Sequence, residues 1–255
     1  MSRLVYGAGP VRELIESRPK KVAVLYVSDK RARGDIAAAA RQRGVAVEAR
    51  SNGELDALAG ARHQGLIAIA GEYDYAAAAD LVAAATGPAL IVALDGVKDP
   101  HNLGAVARSA YLAGAHGLLV PRDRAAAVTP VATKVSAGAT EHLPIAQVTN
   151  MTRALADLKQ AGLWLVAVAA TPDAVPLDTI DLTVPTCLVL GSEGSGIRRL
   201  VAAECDHHAI IPMAGTAVGS FNVSVAAGIA LYEALRQRPH RGNVPPHRGN
   251  VPPPG

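Results

Sequence analysis

Two residues six positions apart, Asn102 and Arg108, lie in the segment DPHNLGAVARSA (residues 99–110), and their types suit the holding of an anion. The stretch leading in, Asp95 to Asn102, is polar for a chain in which only 18% of residues are charged. Asn102 is placed just before a helix, where its side-chain oxygen can cap the first free amides. Gly104 permits close backbone approach at the helix start. Arg108 then falls among Ala105, Ala107 and Ala110. A guanidinium there can grip a phosphate or carboxylate through two parallel hydrogen bonds. The plainer role for such an Arg is a local salt bridge on the helix surface.

A second segment, LVLGSEGSGIRRL (188–200), runs from an apolar strand into a Gly-rich turn and a helix. Backbone amides at such a turn can meet a nucleotide or another polar ligand. The glycine spacing is G-x-x-G-x-G, which is neither the dinucleotide fingerprint nor a P-loop. Glu193 sits inside the turn. Its carboxylate repels phosphate and suits a cation, either Arg108 or a substrate amine. A third segment, IIPMAGTAVGSFNVSVAAGIALYEAL (210–235), ends a strand at Pro212 and crosses a loop of small residues before a long helix. Ser220 or Asn222 can cap that helix. The loop can fold around an adenine or a ribose, with Phe221 or Val218 in apolar contact.

The elements that must position these segments fall into two series. Before residue 72 the chain alternates helix and strand: PVRELIES, KVAVLYVS, GDIAAAARQRG, VAVEAR, ELDALAG and GLIAIAG. Residues 72–88 read as a linker and a first helix, punctuated by Gly87-Pro88. From residue 89 near-continuous apolar strands follow: ALIVALD, GLLVP, HLPIAQV, LWLVAVAA, TCLVLG and HAIIPM. Helices are expected between them at 104–114, 130–138, 151–161, 196–205 and 222–237. Strands apolar on both faces and alternating with helices make a parallel sheet covered on both sides. Ligands bind beyond the carboxyl ends of such strands, so the loops after Leu94, Leu190 and Met213 are the ones to watch.

Charge separates the same two series. Residues 1–62 carry 12 Lys and Arg against 7 Asp and Glu, and the remaining 193 carry 13 against 15. A basic first third on a mildly acidic body fits a polyanion contact at one end, or simply a solvated basic face. One Phe, one Trp and six Tyr are too few for a base-stacking platform. Cys187 and Cys205 make no disulfide framework, and Cys187 lies in an apolar strand as a packed thiol. The His residues lack ligand spacing, and Cys205-Asp206-His207 is only a faint metal echo, so no metal is expected. No apolar run reaches membrane-spanning length and the first residues lack a signal core, so a cytoplasmic location with no membrane contact is expected. The tail repeats HRGNVPP in tandem and is read as disordered over 239–255.

In their order and wording, DPHNLGAVARSA, GSEGSGI and IPM…SFNVSVAAGIALYE resemble the three motifs of the SpoU (TrmH) family of RNA 2′-O-ribose methyltransferases, over residues 89 to about 237. VYGAGPVRELIE and ARHQGLIA resemble the substrate-binding domain of the branch that methylates a guanosine of 23S rRNA. The resemblance implies an α/β parallel-sheet fold whose C-terminal segment forms a deep trefoil knot, preceded by a small α/β RNA-binding domain. The divisions are then 1–71, 72–88, 89–238 and the tail. It implies S-adenosylmethionine bent into the knot, with Gly191, Ile211 and Phe221 at the matching positions and Leu190, Met213 and Val218 as neighbours. This chain departs from the family in having Phe221 for a Leu and a GTAVGS loop one residue longer.

The resemblance further implies a homodimer with the active site at its interface, where Asn102, Arg108, Glu193, Ser220 and Asn222 match the polar site residues. Guanidinium stays protonated, so Arg108 is read as a phosphate clamp and alkoxide stabiliser, with the base left open. The same motifs also serve tRNA and resistance-type rRNA methylation. A non-catalytic RNA-binding protein is a further reading; a nucleotide-dependent oxidoreductase is disfavoured by the glycine spacing.

Overall fold

The computed structural model of the chain describes residues 2–60, 62–215 and 219–238. Val218 and the tail 239–255 lie outside the described residues. The first series folds as β1 (Ser2–Tyr6), α1 (Ala8–Ser17), β2 (Val22–Val27), α2 (Asp35–Gln42), β3 (Ala46–Ala49), α3 (Asn52–Ala59) and β4 (Leu66–Gly71). Its sheet has the order β1-β4-β2-β3, with β4 antiparallel to both neighbours and β2 parallel to β3. Val5, Leu14, Leu25 and Leu66 pack in its core. Strand β1 was not among the expected elements. Its five residues, SRLVY, are too few to carry a period-two signal, and pairing with β4 is what makes them a strand. Helix α3 opens on a capping box: Ser51 Oγ accepts from Glu54 N while the Glu54 carboxylate accepts from Ser51 N.

The second series begins with α4 (Ala78–Ala83), β5 (Leu90–Asp95), α5 (Pro100–Leu112), β6 (Gly117–Pro121), α6 (Pro130–Val135) and β7 (Ile145–Val148). It continues through α7 (Met151–Gln160), β8 (Trp164–Val168), β9 (Val175–Pro176), β10 (Thr186–Gly191), α8 (Arg199–Ala202), β11 (His207–Ile210) and α9 (Val223–Gln237). The strands form one sheet, β7-β6-β5-β10-β8-β11-β9, parallel throughout. This is the covered parallel sheet that the apolar runs required. Along β5, Leu90, Val92 and Leu94 face the layer of α5 and α9, while Ile91 and Ala93 face that of α4 and α7. Period-two alternation with both faces buried is why this strand reads as continuously apolar.

Three helices depart most from expectation. Helix α5 starts at Pro100, not Gly104, because Asp99 caps it by accepting from His101 N at 2.8 Å and Pro suits the first helical position. Gly104 is therefore one turn into the helix. A Cβ there would lie 2.5 Å from Ala132 O, so its close approach serves the packing of α5 on α6. Helix α6 stops at Val135, before a left-handed Gly138. Helix α8 is confined to Arg199–Ala202, because Gly196 is left-handed and Arg198 is still extended.

A buried ion pair ties the first sheet to the segment before β7. Arg3, on β1, donates from Nη1 and Nη2 to Glu141 at 2.8 and 2.7 Å, and the Glu141 side chain is fully buried. Tyr73 Oη donates to Thr140 O at 2.9 Å, and His142 meets Glu13 at 2.7 Å beside this pair. Arg3→Ala strands a buried carboxylate, which typically costs a few kcal/mol. We expect this variant to lose about 3 kcal/mol of unfolding free energy in denaturant titrations. A loss within about 0.5 kcal/mol would show the pair to be structurally idle.

Candidate active site

Strand β10 ends at Gly191 and the chain turns at once. Ser192 N donates to Gly196 O at 3.1 Å and Gly196 N to Ser192 O at 2.9 Å, closing a tight loop over Glu193. Gly194 and Gly196 take φ of 81° and 65° inside it. Gly191 packs directly under the returning chain: a Cβ would fall 2.1 Å from Gly196 C and 2.3 Å from Ile197 N. The loop is also tied to the end of β5. The buried Asp95 carboxylate accepts from Arg198 N, Nε and Nη2 at 2.8, 2.8 and 2.5 Å. This clamp holds the loops after β5 and β10 at a fixed separation.

Above it the three segments meet. Asn102 Nδ2 donates to Glu193 Oε1 at 3.1 Å. Asn222 Nδ2 donates to Asn102 Oδ1 at 3.2 Å and also to Glu193 Oε1. Asn222 Oδ1 accepts from Ser224 N at 2.9 Å, so one side chain caps α9 and joins the cluster. Of the two candidate caps, Ser220 and Asn222, the helix uses Asn222. Asn102 caps nothing: as third residue of α5 it points its amide at Glu193 instead. Glu193 meets these two amides and not Arg108.

Two cavities flank the cluster. One, of about 430 Å³, is lined by Leu190, Gly191, Ile211, Met213, Ser220 and Phe221, with Glu193 its only carboxylate among the described residues. Every cofactor position anticipated from the sequence lies on its wall except Val218, which lies outside the described residues. The other cavity, of about 590 Å³, opens over the ends of β5, β6 and β10 and includes Asn102, Lys98, Asp123, Arg124 and Arg198. Ser192, Glu193, Ser195 and Gly196 belong to both walls.

Arg108 lines neither cavity. It is exposed on α5 and has no hydrogen-bond or ion-pair partner among the described residues. Asp95, Arg198, Lys98, Asp123 and Arg124 were not singled out from the sequence. For Asp95 a signal existed: it is the one charge closing the apolar run LIVALD.

The Cys205-Asp206-His207 sequence disperses. His207 lies against Trp164 with ring centroids 4.9 Å apart and planes tilted by 46°, and Asp206 accepts from Leu165 N at 2.9 Å and pairs with Lys159 at 2.7 Å. Among the described residues no three His, Cys, Asp or Glu are grouped to hold a metal. Burial pushes the Cys187 thiol far up and that of Cys205 up to about 12, so both are packed, protonated thiols at neutral pH. No helix among the described residues is long and apolar enough to cross a membrane.

Residues 89–232 match the SpoU rRNA Methylase family, and residues 4–76 match the RNA 2′-O ribose methyltransferase substrate-binding family. The chain belongs to the SpoU rRNA methylase family. Among similar SpoU-family sequences, the 23S rRNA (guanosine-2′-O-)-methyltransferase RlmB of Coxiella burnetii is 42% identical over 92% of this chain and 95% of its own. RlmB of Escherichia coli K12 is 42% identical over 93% of this chain and all of its own. Among solved structures, the SpoU methyltransferase AviRb of Streptomyces viridochromogenes superposes with a TM-score of 0.78 at 28% identity, covering 92% of this chain and 89% of that one. An AdoMet-bound rRNA methyltransferase from Sinorhizobium meliloti gives 0.76 at 27% identity, covering 92% and 87%.

Proposed function

We propose that this chain transfers a methyl group from S-adenosylmethionine to the 2′-hydroxyl of a guanosine in 23S rRNA. The observation that carries the reading is the Asn102–Glu193–Asn222 cluster, drawn from three distant segments, whose Glu193 stands on the wall shared by two cavities. The likeness to both RlmB sequences over nearly their whole lengths supports the choice of RNA.

The smaller cavity suits the cofactor by its donor set. Leu190, Ile211, Met213 and Phe221 would hold an adenine, and backbone groups of the 191–196 turn would hold the polar parts. A lone carboxylate, Glu193, suits a cationic sulfonium. When bound, S-adenosylmethionine supplies an electrophilic methyl open to in-line displacement. The chain's own work is orientation and charge placement. Asn102 and Asn222 fix the Glu193 carboxylate through Oε1, which leaves Oε2 to accept a hydrogen bond from an incoming hydroxyl.

Arg108 lies outside both cavities of its own chain, so we assign its guanidinium to the site of a second copy, where it holds the phosphate beside the attacked ribose and stabilises the developing alkoxide. Helices α5 and α9, packed together, expose Leu112, Tyr232 and Val225, an apolar face of the kind a homodimer covers. In this reading residues 1–71 bind RNA, 72–88 link, and 89–238 catalyse in the cytoplasm. The segment after β11 is threaded as a deep trefoil knot, a rarity among folds.

The test compares 2′-O-methylation across 23S rRNA from cells with and without this chain. One guanosine is expected to lose its methyl and regain it on complementation. Purified chain is expected to bind S-adenosylhomocysteine and not NAD in titration calorimetry. An unchanged rRNA methylation map, with a change in tRNA instead, would move the assignment to tRNA.

A further inference from the structure

The geometry points to Asp123 as the residue that reads the target guanine, with Lys98 and Arg124 holding the flanking phosphates in the larger cavity; this rests on the function proposed above. The argument starts from which charges in that cavity are already committed. Asp95 is saturated by Arg198. Asp99 caps α5 through His101 N. Glu193 receives the amides of Asn102 and Asn222. Lys98, Asp123 and Arg124 remain, each exposed and without a hydrogen-bond or ion-pair partner among the described residues. An acid and a base adjacent in sequence do not pair with each other.

The turn that carries two of them is fixed in place. Arg124 has φ of 55°, a left-handed conformation that costs a non-glycine residue about 1 kcal/mol. The strained turn is anchored on both sides: Arg122 N donates to Val148 O at 2.8 Å, and Ala126 N donates to Val97 O at 2.8 Å. The second bond ties it to the loop bearing Lys98. Rigid placement of uncommitted charges is what a recognition site needs.

The chemistry selects the base. An ionised carboxylate only accepts hydrogen bonds. The Watson–Crick edge of guanine presents two adjacent donors, N1–H and the N2 amino group, spaced for two carboxylate oxygens. Adenine and cytosine present one donor beside an acceptor, and uracil one donor between two acceptors, so each sets a lone pair against the carboxylate. Enzymes acting on one nucleotide read an extruded base this way, and two cations suit the phosphates on either side. The cavity, at about 590 Å³, lies within the range that holds a nucleotide-sized ligand. Its wall is shared with the smaller cavity at Glu193, which sets the sugar of a nucleotide seated there against the methyl donor.

The experiment uses the full chain with 23S rRNA transcribed in vitro, then a short RNA around the mapped guanosine, carrying either guanosine or inosine. Inosine lacks the N2 amino donor. Wild type is expected to prefer guanosine by about 10-fold or more, the worth of one lost hydrogen bond to a charged group. Asp123→Asn is expected to lower kcat/KM on guanosine by about 10- to 100-fold and to abolish the preference over inosine. S-adenosylhomocysteine affinity in the same variant should stay unchanged, which separates lost reading from misfolding. Lys98→Ala and Arg124→Ala should each raise KM and reduce the slope of log KM against log salt by about one. An Asp123→Asn enzyme that keeps the wild-type guanosine preference overturns the assignment. A wild-type chain that methylates no RNA removes the underlying activity, and the inference with it.

Discussion

Arg108→Ala is expected to slow methyl transfer by about 10²- to 10³-fold, the usual loss when one donor to a developing oxyanion is removed. Affinity for S-adenosylhomocysteine should stay within a few-fold, because Arg108 touches neither cavity of its own chain. The same geometry predicts how the loss is repaired. Arg108→Ala and Glu193→Gln chains are each expected to be inactive alone. In the homodimer proposed above, mixing them and allowing exchange should recover about a quarter of wild-type activity, since half the dimers would be mixed and each mixed dimer would hold one intact site. Proven mixed dimers without activity would place Arg108 in its own chain's site. Full activity of Arg108→Ala would remove the residue from the mechanism.

Gly191→Ala is expected to lower S-adenosylhomocysteine affinity by about 100-fold or more, equivalent to roughly 2.7 kcal/mol. The added methyl would overlap Gly196 C, Gly196 O and Ile197 N, all backbone atoms with no rotamer to yield. Relief requires moving the 192–196 turn, and with it Glu193 and the wall of both cavities. Gly194→Ala is the control. Gly194 has open space around its Cβ position but a φ of 81°, so it should cost only about 1 kcal/mol and less than about 10-fold in affinity. Calorimetry on both variants decides between crowding and backbone strain; equal losses would discard the crowding argument.

The covered parallel sheet was legible because burial on both faces leaves an unbroken apolar run, as in LIVALD and TCLVLG. The start of α9 was legible for a local reason: Asn222 is a good cap and it caps. The start of α5 was misplaced although its signal was present, since Asp99-Pro100 is a stronger opening than Asn102. Helical rotation also carried information about Arg108. Six residues at 3.6 per turn set it roughly 120° around the helix from Asn102, too far to share one pocket wall. What sequence could not supply was the commitment of each charge. That Asp95 is consumed by Arg198, 103 positions away, while Asp123 is left over depends on tertiary contacts alone.

The pairing of Arg3 with Glu141 spans 138 positions, and chains emerge during synthesis from the N-terminus. Strand β1 finds its partner β4 once residue 71 has been made. Its guanidinium must stay in water until residue 141 follows. The first sheet therefore assembles early but locks late, and a chain stalled between those points would present a finished N-terminal unit with one loose edge.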